Sequence, residues 1–139
     1  MARTILTIPT AHKQEIINIT PKIEAWLRQI KVKEGIVFIN SSHATTGLII
    51  NEDEPGLKKD ILSLTKTLDF LAIQVGGFAH NRIDQNASAH LSGIIFGSQL
   101  FLAVSNGRLQ RGQWQEILFV ELDGPRPSRQ INLTFQSST

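Results

Sequence analysis

The sequence predicts an α+β domain, with helices laid on one or more largely antiparallel sheets. Three observations carry this. Short apolar or alternating runs recur as strands, and longer stretches repeat apolar residues at helical spacing. Short turns join consecutive strands, which favours antiparallel pairing. A chain of 139 residues suits one domain, 1–139, with one core.

Taken in order, residues 3–8 alternate as a strand, and residues 14–19 read as its partner after a turn holding Pro9 and His12. Thr20 is placed to cap a helix, with Pro21 at its first position. Ile23, Trp26, Leu27 and Ile30 give that helix one apolar face, and residues 33–35 end it. Residues 36–39 and 48–50 are short apolar strands. Asp53 or Glu54, before Pro55, opens a second helix with the stripe Leu57, Ile61, Leu64, Leu68 and Leu71. Residues 72–86, with Gly76-Gly77, read as irregular. Asn86 is placed as the cap of a short helix closed by Gly97. Residues 100–104 form a strand, and Asn106-Gly107 a tight turn. Residues 115–122 carry apolar side chains on both faces, which predicts a strand covered on both sides. DGPRPS turns the chain into a last strand, 130–135.

Composition narrows the function. Hydrophobic residues make up 41% and charged residues 19%, a globular balance that argues against disorder. Net charge is +2, and the basic residues neither run together nor interleave with aromatics, so no nucleic-acid partner is expected. The absence of cysteine excludes thiolate zinc sites, a catalytic cysteine and disulfides. No apolar stretch reaches bilayer length, and MARTILTIPT lacks a signal-peptide pattern. The expectation is a cytoplasmic protein without membrane contact.

The chemistry concentrates around SSHATTGLIINEDEP, residues 41–55. His43, His80 and His90 are three imidazoles, and three neutral imidazoles with one open position commonly hold a catalytic zinc. Glu52 or Asp84 is suited to be a fourth ligand, an outer hydrogen-bond partner, or a general base on metal-bound water. The spacing is not specific, since no HExxH pattern occurs. In the structural alternative, His80 caps a loop and His90 lies half-buried on its helix. Asp53 and Glu54 suit the positive end of the following helix. Glu52 closes the strand before it. In a simple hairpin His43 would sit at the turn with Glu52 several residues away, so the two meet only if the sheet or a neighbouring subunit folds back. Hydroxyls of Ser41, Ser42, Thr45 and Thr46 around His43 are able to hold phosphate oxygens, although turn chemistry is their commoner role. The helix start at Asn86 is a second candidate anion site, with Arg82, Arg108 and Arg111 as sources of positive charge. Trp114 is expected in the core or an interface, with Gln115 facing a polar site.

SHATTGLIINEDEPG, AHLSGIIFGSQL and NGRLQRGQWQEILFVELDGPRPSR, in this order, closely resemble the YjbQ family. The resemblance covers nearly the whole chain and is strongest over residues 36–130. It implies an α+β homotrimer with a histidine cluster, an Asn-Glu pair, often a bound metal, and a weak thiamine-phosphate synthase activity. It places His43, Asn51, Glu52, His80, His90, Arg108, Trp114 and Gln115 on the family's motif positions. Ser88 stands where histidine is frequent and Ser92 where lysine is frequent, which removes a potential ligand and a positive charge. The expectation is a metal-dependent enzyme acting on a small phosphorylated metabolite. A divalent ion, zinc first and magnesium or manganese as alternatives, is held by His43, His80 and His90. Asn51, Glu52 and Asp84 act in catalysis, and Ser42, Thr45, Thr46, Arg108 and Gln115 bind substrate. The rivals are a non-catalytic trimer that binds a metal or small anion, and a structural protein whose polar loops pack a trimer.

Overall fold

The computed structural model describes residues 1–138. In chain order the elements are β1 (Ala2–Ile8), β2 (Glu15–Asn18), α1 (Thr20–Gln29), β3 (Gly35–Ser41), β4 (Thr46–Asn51), α2 (Pro55–Ser63) and α3 (Thr65–Gln74). A 3₁₀ turn (Ala79–Arg82), α4 (Ala87–Phe96), β5 (Gln99–Ser105), β6 (Arg108–Leu109), β7 (Glu116–Glu121) and β8 (Arg129–Ser137) follow. Among the described residues, no helix is long and apolar enough to cross a membrane.

The strands form two sheets, in the orders β1-β8-β3-β5-β6 and β2-β7-β4, and all pairs are antiparallel. The α+β class is as the sequence predicts, but two expected pairings are not made. β1 pairs with β8 and β2 with β7, so the first two strands are not a hairpin. β3 and β4 likewise lie in different sheets. The reason lies in the links. Thr10 N donates to Arg126 O at 2.8 Å and Gly124 N to Lys13 O at 2.9 Å, tying the β1–β2 link to the β7–β8 link. Both links cross together from one sheet to the other. A side chain at Gly124 would collide with the His12 carbonyl, Glu121 and Thr10.

Three layers result. The inner face of the five-stranded sheet supplies Val37, Ile39, Leu102, Ile131 and Leu133. These pack on Leu48, Ile117 and Phe119 of the three-stranded sheet and on Ile23, Trp26 and Leu27 of α1. The other face of the three-stranded sheet, with Ile16, Leu118 and Val120, packs on Ala89 and Phe96 of α4 and Ile61 and Leu62 of α2. β7 is therefore covered on both sides, as its two apolar faces require.

Local signals hold in part. Glu54 caps α2, accepting from Gly56 N at 2.8 Å and Leu57 N at 2.6 Å. These two bonds hold its carboxyl below its usual range. Asp53 instead pairs with Lys58 at 2.6 Å. Thr20 does not cap α1. Its hydroxyl accepts from Ile117 N at 2.8 Å, and Asn18 Oδ1 accepts from Thr20 N at 3.0 Å. The expected second helix is two helices. Thr65 Oγ1 donates to Leu62 O at 2.7 Å and meets Gln14, competing with the helical ladder at the break. Leu64, expected on a buried stripe, is 58% exposed there.

Ser92, 2% exposed on α4, has no hydrogen-bond partner for its Oγ among the described residues. A buried hydroxyl left unpaired is costly. Ser92→Ala is expected to raise stability by about 1 kcal/mol, read as a higher melting temperature. A lower one would show that the hydroxyl is satisfied.

Candidate functional site

The β3–β4 link, residues 42–45, also crosses between the sheets, and it meets the β1–β2 and β7–β8 links. Thr45 O accepts from Leu122 N at 3.2 Å. At the meeting point Arg129 forms a two-pronged pair with Glu121, Nη2 to Oε1 at 2.6 Å and Nε to Oε2 at 2.8 Å. Arg129 Nη2 also donates to Thr45 Oγ1 at 3.1 Å, and Thr10 Oγ1 donates to Glu121 Oε2 at 2.8 Å. Glu121 is fully buried. Burial pushes its carboxyl up, but Arg129, the Asp123 amide and Thr10 outweigh this and hold it below its usual range. Thr10, Thr45, Glu121 and Arg129 thus bind all three links to one ion pair.

His43 stands beside this pair. Gln130 N donates to His43 Nε2 at 2.8 Å. A ring accepting at Nε2 carries its proton on Nδ1 when neutral. Burial lowers the His43 pKa, Arg129 lowers it further, and Glu121 opposes them. The ring is therefore held as a neutral donor through Nδ1. The sign for stability follows. The unfolded chain binds a proton near pH 6.5 and the folded ring only at lower pH, so protonation favours unfolding. The His43 contribution is complete above pH 6.5 and is lost as pH falls through the folded value. His43→Gln is expected to flatten the stability–pH curve below pH 6.5 in denaturant titrations. An unchanged slope would remove His43 as its source.

His43, Ala44, Thr46, His90, Gly93, Ile94, Gly97 and Ser98 line a cleft of about 310 Å³ between the link and α4. Gly93 makes the close approach possible, since a Cβ there would lie 3.0 Å from Ala44 O and 3.1 Å from Thr46 O. Gly93→Ala is expected to cost about 1–3 kcal/mol by forcing α4 off the link. Chemical denaturation checks this, and a loss within error would mean that the link yields freely.

Behind the cleft, the His80 and His90 rings meet edge to face with centroids 4.7 Å apart. His80 Nε2 lies 3.1 Å from Asn86 Oδ1, and Asn86 Nδ2 donates to Asp123 Oδ2 at 3.1 Å. The amide oxygen is the acceptor, so His80 donates from Nε2. Asn86 is thus the middle of an Asp123–Asn86–His80 chain, and it makes no side-chain cap on α4. The arrangement sets a donor imidazole, His43, across a cleft from a histidine pair whose rear member is oriented by an amide and a carboxylate. That suits proton transfer to and from a bound molecule.

The other expected residues are distributed as follows. Thr46 Oγ1 bonds Ser41 Oγ at 2.6 Å, and Ser42 Oγ accepts from Asn132 Nδ2 at 2.5 Å, so these hydroxyls brace the link. Asn51 and Glu52 are exposed at the opposite end of β4, roughly 17 Å from Thr46 by strand rise. Asn51 pairs there with Glu116, beside Gln115, whose Oε1 accepts from Gly112 N at 2.7 Å. Trp114, expected in the core or an interface, is 66% exposed in this chain. Arg108 lines a separate cleft. Asp84 is exposed after the 3₁₀ turn, with its amide on His80 O at 3.2 Å. Ser88 donates to Asp69 of α3 at 2.7 Å.

The three-histidine metal centre is not assembled within the chain. Among the described residues, no group of three or more His, Asp or Glu is placed to share an ion. The His43 Nε2 lone pair is occupied by an amide, so these side chains as arranged do not fit a metal. Glu121, Arg129, Thr10 and Asp123 had no expected role. One signal pointed to the first two: a carboxylate at the end of the apolar run ILFVEL needs a cation, and Arg129 follows the next turn.

The fold and site define a three-layer α+β protein with an imidazole-lined cleft where its sheet-crossing links converge. A model of the UPF0047 protein YjbQ-like family matches residues 4–138. A UPF0047 protein of Archaeoglobus fulgidus is 42% identical over 127 residues, covering 91% of this chain and 95% of that one. The UPF0047 protein YugU of Bacillus subtilis is 36% identical over 125 residues, covering 87% and 89%. The crystal structure of a hypothetical protein from Aeropyrum pernix K1 superposes with a TM-score of 0.91 at 36% identity, covering 99% of this chain and 100% of that one. A YbjQ-like protein of unknown function from Sulfolobus solfataricus P2 gives 0.90 at 35% identity, covering 99% and 97%. The chain belongs to the UPF0047 YjbQ-like family.

Proposed function

We propose that the protein is an enzyme acting on a small phosphorylated metabolite, with the His43–His90 cleft as its centre and a homotrimer as its working form. The carrying observation is the neutral His43, its Nε2 tied to Gln130 N, beside a cleft shared with His90. His43 donates a hydrogen bond from Nδ1 to a substrate oxygen, and the oriented histidine pair accepts a proton. The trimer is supported by the split of the family-motif residues. His43 and His90 gather at one end of β4, and Asn51, Glu52 and Gln115 at the other. A head-to-tail ring brings opposite ends of neighbouring copies together. Exposed apolar side chains support the same reading, with Ile5, Phe38 and Phe101 on the open face of the five-stranded sheet and Phe70, Ile73, Ile94 and Ile95 on α3 and α4.

A divalent ion belongs to this reading only with donors from a second copy. Thiamine-phosphate formation requires cations to hold a departing diphosphate. No lysine or arginine lines this cleft, so that reaction fits best as a side activity. The test is light scattering for the oligomer, together with phosphate release from a panel of phosphorylated metabolites, with and without zinc, manganese or magnesium. A trimer with turnover that His43→Ala abolishes is expected. A trimer that retains a small anion and turns nothing over would favour the binding-protein alternative.

A further inference from the structure

A second cleft, larger than the one at His43, lies elsewhere, and its charge is one-sided. It measures about 600 Å³, within the range of small-molecule sites. Arg28, Lys31 and Lys33 line it from the end of α1 and the following link, and Arg108 from the β5–β6 turn. The half-buried Val32 gives it an apolar contact, and Glu24 is its one lining carboxylate. Arg111, outside the cleft, lies 3.6 Å from Glu24 and 3.2 Å from Glu116, so it offsets the Glu24 charge in part. None of the four lining cations has a carboxylate within ion-pair distance among the described residues.

The backbone assembles this cluster from distant segments. Gly107 N donates to Lys33 O at 3.0 Å, and a Cβ on Gly107 would approach Val32 O to 2.9 Å. Glu34 Oε1 accepts from Asn106 N at 2.7 Å and Ser105 Oγ at 3.1 Å, so this carboxylate holds the turn and does not line the cleft. Asn106 and Gly107, at φ 51° and 74°, make the reversal that sets Arg108 opposite α1. The helix dipole accounts for only part of the charge. It places about half a negative charge at the end of α1, less than four cations, and Arg108 belongs to another element.

We infer that this cleft is a binding site for an organic diphosphate, its phosphates held by Arg28, Lys31, Lys33 and Arg108 and its organic part resting on Val32. Four cations against one carboxylate leave an excess of three positive charges, which matches the two to three negative charges of a diphosphate, and guanidinium groups suit phosphate oxygens. The site is distinct from the His43 cleft and does not depend on the activity proposed there.

Calorimetric titration of the full chain at low salt, with ADP, AMP and adenosine as probes, tests this. ADP is expected to bind at least about 10-fold tighter than AMP, with adenosine weaker still and ADP affinity falling as salt rises. The pair Arg28→Gln with Arg108→Gln is expected to weaken ADP by about 10-fold or more. Lys59→Gln with Lys66→Gln removes the same charge beside α2 and should leave ADP unchanged. Equal binding of ADP and adenosine, no binding, or equal loss in both charge-removed pairs would overturn the assignment.

Discussion

Replacing Arg129 by methionine is expected to lower the unfolding free energy by about 3–5 kcal/mol, because the fully buried Glu121 carboxylate is left without its cation. The loss should exceed that of an ordinary surface ion pair, since this pair holds the crossing links through Thr10 and Thr45. Its pH dependence is a second readout. The Glu121 pKa is lowered by folding, so its stabilisation is present above the unfolded carboxylate value near 4.5 and is lost as pH falls through the folded value. Without Arg129 that carboxyl should rise, and the variant should become less unstable relative to wild type under acid. The double variant Glu121→Met with Arg129→Met is expected to recover much of the loss, since an apolar pair leaves no charge stranded. Urea unfolding of the three proteins across pH measures all of this. A single-variant loss below about 1 kcal/mol would mean that water reaches the carboxylate and that the pair does not organise the links.

Removing the imidazole of His43 is expected to reduce turnover of a phosphorylated substrate by about 100- to 10,000-fold, the usual contribution of a positioned acid or base. Stability at neutral pH should fall far less than in Arg129→Met, because His43 makes one peripheral bond to Gln130 N. Glu52→Gln provides the complement. If Glu52 completes the site of a neighbouring copy, the two variants are each inactive yet recover activity when co-expressed. In a head-to-tail ring with random mixing, about a quarter of the sites then hold both intact residues. Turnover of co-expressed against separately purified variants reads this directly. Two inactive variants whose mixed oligomers recover nothing would place both residues in the site of one chain, and an active Glu52→Gln would leave Glu52 outside the site.

Much of the fold was legible because the signals are local. The alternation in residues 3–8, the 3.6-residue period of α1, the Glu54-Pro55 start of α2 and the Asn106-Gly107 turn each depend on near neighbours. The two apolar faces of β7 told correctly that it is a middle layer. The candidate site was legible as a set of residue types around His43. Its true companions were not. Asn86 looked like a helix cap, and only its place between His80 and Asp123 makes it the link that orients His80. Asn51 and Glu52 follow His43 closely in the sequence, yet a strand separates them by its length.

The chain's own residues thus settle which segments are strands and helices, where most of them stop, and that a polar link interrupts an apolar core at His43. Tertiary structure decides the partners. Antiparallel pairing of consecutive strands is the economical expectation, but the β1–β2 and β7–β8 links are hydrogen-bonded to each other and so both segments cross between the sheets together. A strand's sequence specifies its faces through a period of two, and many partners satisfy the same faces. The choice among them rests on contacts between residues more than 100 positions apart, such as Thr10 with Glu121 and Arg126. Such contacts leave no periodic trace, because their energy exists only once the links converge.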